Sequence, residues 1–431
     1  MDTTTHSSAH GHGPGCAEFH TSRRGFLKGV SAVAGGVVLD SMTGGVFRQV
    51  AYAASGTARN VLVVLSLRGG ADGLSMVVPH GEQAYEEARG RIAIPRDALI
   101  ARDSMFGLHP KFEPLKQMWN DGKFGAVHAV GLPQPNRSHF AAMEEMEDAD
   151  LGSNQRRGWL NRMIGLDTSS NPLEAVHMGS PLVPTSLYGP SPVVATHMLS
   201  KLKLHGTGKA DARQRKTRSL NRVWGRGNGD LGRAARSAMR TVNRVEDLAT
   251  SRPTPPRNDA RYPVGDLGKT LADTARLLRA DLGVETVTLD YSGWDMHTNL
   301  GDVRSGAMTD MVEEMAKALA AFFKDLGALG NRVTVVTISE FGRRVEANGN
   351  NGLDHGFGNA MLLLGAGVKG GRVHGNWPGI GPADLREGDL QVTRDYRSVL
   401  TEVLKSRFPQ VNTSKVFPGF KPETINAMRL P

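Results

Sequence analysis

Acidic and imidazole side chains in this chain fall repeatedly beside glycine at the ends of strand-like runs. Asp72 sits in Arg68-Gly69-Gly70-Ala71-Asp72-Gly73, directly after the apolar run 60–67. Asp295 and His297 sit in Ser292-Gly293-Trp294-Asp295-Met296-His297, after the run 287–290. Glu340 follows the β-branched run 333–338 in Ser339-Glu340-Phe341-Gly342-Arg343, and Asp354 and His355 open Asp354-His355-Gly356. Turns at strand ends are where open α/β sheets place their chemistry. Carboxylates mixed with imidazoles suit divalent metal ions. The chemistry to expect is therefore metal-assisted hydrolysis with one or two ions. Zinc, manganese, magnesium and calcium all remain open.

Each residue also has a plainer reading. The lesser alternative for Asp72 is a turn aspartate capping the next helix or loop. Asp295 and His297 point the same way if the segment is extended, but a helix cap and a surface histidine would look alike in sequence. Glu340 next to Arg343 and Arg344 is either a metal carboxylate beside an anion clamp or a local ion pair. Asp354 is expected as a ligand, or as the group that orients the His355 imidazole. Ser138, in Arg137-Ser138-His139-Phe140, opens a helical pattern. There the free N–H groups and positive dipole end suit a nucleophile handling phosphate-like charge, and suit a capping serine better still. Arg68, Arg137 and Arg343 are the candidates for holding non-bridging oxygens. His109, His128 and His374 stand singly and read as core or loop histidines.

The elements that must position these groups alternate. Strands are expected over Val61–Leu67, Gly125–Val130, Thr286–Asp290, Val333–Ile338 and Met361–Leu364. Helices are expected over His139–Ala149, Asp266–Leu282, Ser305–Leu326 and Arg394–Lys405. This alternation implies an α/β three-layer sandwich with a mostly parallel central sheet. The five ligand-bearing segments all fall at strand or helix ends.

The net charge of +9 is not spread evenly. Residues 201–261 hold 16 Lys and Arg against 5 Asp and Glu, which leaves the rest slightly acidic. That basic segment reads as a loop over 201–229, then a helix over 231–248, inserted between the halves of the sheet. It is either a solvated face or a contact for an anionic polymer or surface. Trp224 alone offers no ladder for base stacking, so no specific nucleic-acid partner is expected.

The N-terminus carries Ser22-Arg23-Arg24-Gly25-Phe26-Leu27-Lys28, a weakly apolar stretch to Leu39, and Ala51-Tyr52-Ala53. This order is that of a twin-arginine export signal over 1–53, cleaved after Ala53, which places the mature chain in the periplasm or outside the cell. The stretch is too short and Gly-rich to span a membrane. Cys16, the single cysteine, lies inside the signal. The mature chain of about 380 residues, a single domain over 54–431, must then rely on its core rather than on disulfides.

Arg68-Gly69-Gly70-Ala71-Asp72-Gly73, Arg137-Ser138-His139-Phe140, Trp294-Asp295-Met296-His297, Ser339-Glu340-Phe341-Gly342-Arg343 and Asp354-His355-Gly356 together resemble the bacterial family catalogued as domain of unknown function 1501. That family is grouped with the alkaline-phosphatase-like superfamily of phosphatases, sulfatases and phosphoglycerate mutases. The resemblance implies that superfamily's fold and a metal site at the strand ends. It implies Ser138 as nucleophile and Asp72, Asp295, His297, Glu340 and His355 as metal groups. Asp295 and His297 stand two apart where the superfamily usually has four, and Glu340-Phe341 replaces an Asp-His pair. No Cys or Ser followed by Pro and Arg is present, so formylglycine chemistry is not expected.

The leading expectation is an exported metal-dependent hydrolase of phosphate or sulfate esters with a serine nucleophile. The competing one is a non-catalytic exported binding protein that engages an anionic polymer or surface through 201–261. A third is an esterase or transferase acting on a cell-wall component, for which no Gly-x-Ser-x-Gly elbow speaks.

Overall fold

The computed structural model describes residues 58–166, 171–203, 210–225 and 230–430, so the expected leader and its cleavage site lie outside it. Its centre is a nine-stranded sheet. The strands are β1 (Val61–Arg68), β2 (Phe124–Gly131), β3 (Ala175–Met178), β4 (Val194–Thr196), β5 (Thr286–Ser292), β6 (Val333–Ile338), β7 (Asn359–Gly365), β8 (Val373–His374) and β9 (Arg394–Asp395). They run in the order β8-β2-β7-β6-β1-β5-β3-β4, with β9 also paired to β2. Only β7 is antiparallel to its neighbours.

Side-chain alternation divides the core in two. Along β1, Val61, Val63, Leu65 and Leu67 face one hydrophobic cluster, and Leu62 and Val64 face the other. Burial on both faces explains why β1 reads as an unbroken apolar run. Each such side chain removed from water contributes about 1.5–3 kcal/mol. Helices α1 (His139–Asp148) and α6 (Tyr396–Arg407) close the Leu62 face. Helices α3 (Asp230–Thr250), α4 (Asp266–Arg279) and α5 (Ala307–Leu326) close the Val63 face. The result is the expected three-layer α/β sandwich with a mostly parallel sheet. Helix α5 buries Met315, Ala318, Leu319 and Phe322 along one face.

Two expectations change. The presumed loop over 201–229 contains a helix, α2 (Ala210–Trp224). Its Ala, Arg, Gln, Lys and Leu content favours helix once Leu220 has a core to enter. The short strands β3 and β4 were not foreseen. They span four and three residues, too few to show a period, and His177 interrupts the apolar run of β3.

Asp72 does not face the other predicted ligands. It is buried, and its carboxylate is held by both terminal nitrogens of the buried Arg89 at 2.7 and 3.1 Å and by the Ser75 hydroxyl at 2.5 Å. A buried carboxylate needs a cation, and the one supplied lies 17 residues on. Asp72→Ala leaves Arg89 an uncompensated buried charge and should cost about 3–5 kcal/mol in urea unfolding. It should leave metal content unchanged, whereas metal loss in a folded variant would restore the ligand role.

His109, His128 and His177 are also buried. Burial holds each imidazole down at about 4. The unfolded chain takes up these protons near pH 6.5. The stabilising contribution is therefore complete above about pH 6.5 and is lost as pH falls through 4. Urea midpoints measured from pH 7 to pH 4.5 should fall steadily; a flat profile would contradict the buried neutral state.

Candidate metal centre

Parallel pairing of β6, β1 and β5 brings their C-terminal ends to one edge of the sheet. Register sets Arg68 opposite Ser292 and Ser66 opposite Ile338. Gly69, Asp295 and Glu340 therefore leave the sheet side by side. The Gly69 amide donates to Glu340 Oε1 at 2.8 Å. Gly69 has φ +114°, and a Cβ there would come within 2.6 Å of the Asp295 nitrogen, so only glycine lets the two loops meet.

Arg343 locks these loops together. Its side chain is 1% exposed. Nε donates to the Gly70 carbonyl at 2.6 Å, and Nη1 to the Leu353 carbonyl at 2.8 Å. Nη2 reaches the Gly69 and Trp294 carbonyls and Asp295 Oδ1, the last at 2.7 Å. Arg343, an anion-clamp candidate by sequence, here directs Nε, Nη1 and Nη2 to acceptors within the protein. Burial alone would raise the Asp295 carboxyl, but the Arg343 hydrogen bond and charge outweigh it and hold it at about 2.

Three imidazoles converge on Asp295 Oδ1. His297 Nε2 lies 3.1 Å away, His355 Nε2 3.3 Å and His139 Nε2 3.4 Å. Each ring is oriented from behind through Nδ1. His139 Nδ1 meets Glu340 Oε1 at 2.8 Å, His297 Nδ1 meets Asp354 Oδ1 at 3.0 Å, and His355 Nδ1 meets the Arg137 carbonyl at 2.8 Å. All three Nδ1 partners are acceptors, so in the neutral ring Nδ1 carries the hydrogen and Nε2 is left to offer its lone pair to a cation placed beside Asp295 Oδ1. This backing is the arrangement that orients metal-bound histidines.

The donor set fits a divalent ion. His139 Nε2 is buried without a hydrogen-bond partner. His297 and His355 bring their Nε2 atoms within 3.0 Å of each other, where two lone pairs repel unless a cation or proton intervenes. One ligand atom each from His139, Asp295 and His355 lies within 4.8 Å of the others, and the separations of the His139 and His355 Nε2 atoms from Asp295 Oδ1 are close to the ~3.3 Å edge of a tetrahedron built on ~2.05 Å metal–ligand bonds. Burial holds the His355 imidazole below its usual value, against the opposing bond to the Arg137 carbonyl, which favours the neutral form a metal requires.

Of the predicted ligands, Asp295, His297 and His355 come together. Glu340 and Asp354 stand one step back, and Asp354 orients His297 rather than His355. Ser138 begins α1 but is exposed, and its hydroxyl makes no capping bond. Arg137 is paired through Nη2 with the buried Asp389 at 2.5 Å, while its backbone serves His355. Arg68 lies between Glu147 at 2.6 Å and Asp290 at 2.8 Å. His139 was not singled out from sequence. It lay inside the motif Arg137-Ser138-His139-Phe140, where the hydroxyl drew attention away from the imidazole.

A cleft of about 780 Å³ opens against His139, Asp295 and Glu340. Protein purified without chelator should carry a divalent ion by elemental analysis. The double variant His139→Ala/His355→Ala should lose it, and full retention would rule out this centre. Glu340→Gln should weaken affinity by about 10–100-fold in chelator competition.

No functionally curated protein matches the chain at a significant level. Among solved structures, it is similar to the C-terminal periplasmic domain of EcEptC from Escherichia coli in complex with Zn (11% identity, 74% of this chain and 77% of that one, TM-score 0.33). It is also similar to the PsFucS1 sulfatase from Pseudoalteromonas sp. (10% identity, 94% and 77%, TM-score 0.36). A third is a protein in the alkaline phosphatase superfamily from Vibrio parahaemolyticus (11% identity, 77% and 69%, TM-score 0.32). Residues 116–402 match the family described as protein of unknown function (DUF1501), and with well over half of its sequence inside that match the chain belongs to this family.

Proposed function

We propose that the protein is a metal-dependent hydrolase of phosphate or sulfate esters, working at His139, Asp295, His297 and His355. The observation that carries this reading is the convergence of three back-oriented Nε2 atoms on one carboxylate oxygen beside an open cleft. A divalent ion held there supplies charge to an ester oxygen and lowers the pKa of a water. The chain's own contribution is preorganisation. Glu340, Asp354 and the Arg137 carbonyl fix the three rings, and Arg343 keeps Asp295 ionised and in place. In hydrolysis the bond from phosphorus or sulfur to the alcohol oxygen breaks. A water oxygen takes its place and a proton passes to the alcohol. The reading gives the attacking role to water, because Ser138 does not line the cleft.

The leader motif supports export by the twin-arginine route. No helix among the described residues is long and apolar enough to cross a membrane. A second reading, an exported binding protein for an anionic polymer or surface, is supported by exposed Arg215, Arg218 and Arg222 on α2.

Aryl phosphate and aryl sulfate turnover by the metal-loaded mature chain tests the reading. Activity should vanish with chelator, return with metal, be lost in Asp295→Asn, and survive in Ser138→Ala. Loss in a folded, metal-replete Ser138→Ala would return the nucleophile to Ser138. No turnover of either ester by metal-replete protein would favour the binding reading.

A further inference from the structure

The cleft beside the centre has a character of its own. Phe140, the residue after His139, is 92% exposed, and Leu182 is 62% exposed. Both line the cleft, together with Met143, Val183 and Pro184. An exposed aromatic ring beside the candidate centre, with Leu182 across from it, offers a ligand apolar surface to bury. The cleft's volume is in the range that takes a small-molecule ligand.

Its charges point the same way. Five carboxylates line it against two guanidiniums. Both guanidiniums are already paired, Arg68 with Glu147 and Asp290, and Arg156 with Glu144 at 2.6 Å. A loaded centre offers positive charge for one anionic group. Any second anionic group on the ligand would lie among Glu144, Glu147 and Asp290 without a free cation, and like charges at such distances repel.

We propose that the cleft between Phe140 and Leu182 receives an uncharged, apolar alcohol portion, so that the substrate is a hydrophobic monoester rather than a polyanion. This rests on the hydrolytic reading of the centre and adds the substrate class. The reacting group sits at the imidazoles and Asp295, and the aryl or alkyl body lies over Phe140 and against Leu182 and Val183. Phe140 and His139 are adjacent on the first turn of α1, so the same short segment contributes to both ends of the ligand.

Calorimetric binding to the metal-loaded mature chain separates this from the hydrolytic claim, because it needs no turnover. The probes are phenylphosphonate, methylphosphonate and pyrophosphate. Phenylphosphonate should bind at least about ten-fold tighter than methylphosphonate, from burial of the ring. In Phe140→Ser/Leu182→Ser that advantage should disappear. Both positions are exposed, and circular dichroism checks that the variant folds. Equal affinity for the two phosphonates, tighter binding of pyrophosphate, or an advantage that survives in the double variant would each overturn the proposal. Selective phenylphosphonate binding without ester turnover would uphold the cleft's preference while sinking the hydrolase.

Discussion

The arrangement depends on one buried guanidinium. Arg343 has no solvent to satisfy its donors, so it must find acceptors in the protein. It finds them in the segments leaving β1 and β5, and in the Leu353 carbonyl just before the His355 loop. Asp295 is the carboxylate that balances its charge. One residue therefore aligns the strand ends and polarises a group that faces the imidazoles. A lysine could not replace it, since an ammonium lacks the planar fork that reaches this spread of oxygens. The loop carrying His355 is pinned as closely: a Cβ on Gly356 would stand 2.4 Å from the Arg343 carbonyl carbon.

Charges around the centre are mutually committed rather than free. Glu340 accepts from Gly69 and His139, and Asp389 holds Arg137 so that its carbonyl meets His355. Each side chain around the centre is held by a partner within the protein, the kind of preorganisation that makes electrostatics effective.

Elements with strong local patterns were legible in the sequence. β1 and β6 are continuous apolar runs, and α5 carries a clear helical stripe; each forms where its pattern places it. β3 and β4 are too short to announce themselves; β3 is held by pairing with β5, and β4 by pairing with β3. At the site, Asp295, His297 and His355 could be read from local glycine-rich turns. The identity of Asp72 as an ion-pair partner and of His139 as a converging imidazole could not. Those roles are set by Arg89 and by Glu340, the second 201 residues away. Local sequence reports which side chains are able to bind a metal, while only the closed sheet decides which ones meet.

That separation along the chain has a consequence for assembly. The groups at the centre come from residues 139, 295, 297 and 355, and β1 pairs with partners more than two hundred residues downstream. Contacts of this span form late, because loop closure must be paid first. The four side chains therefore have no common meeting point in a nascent or partly folded chain. Capture of an ion at this centre would act as a check on folding, taking place only once β5 and β6 have joined β1.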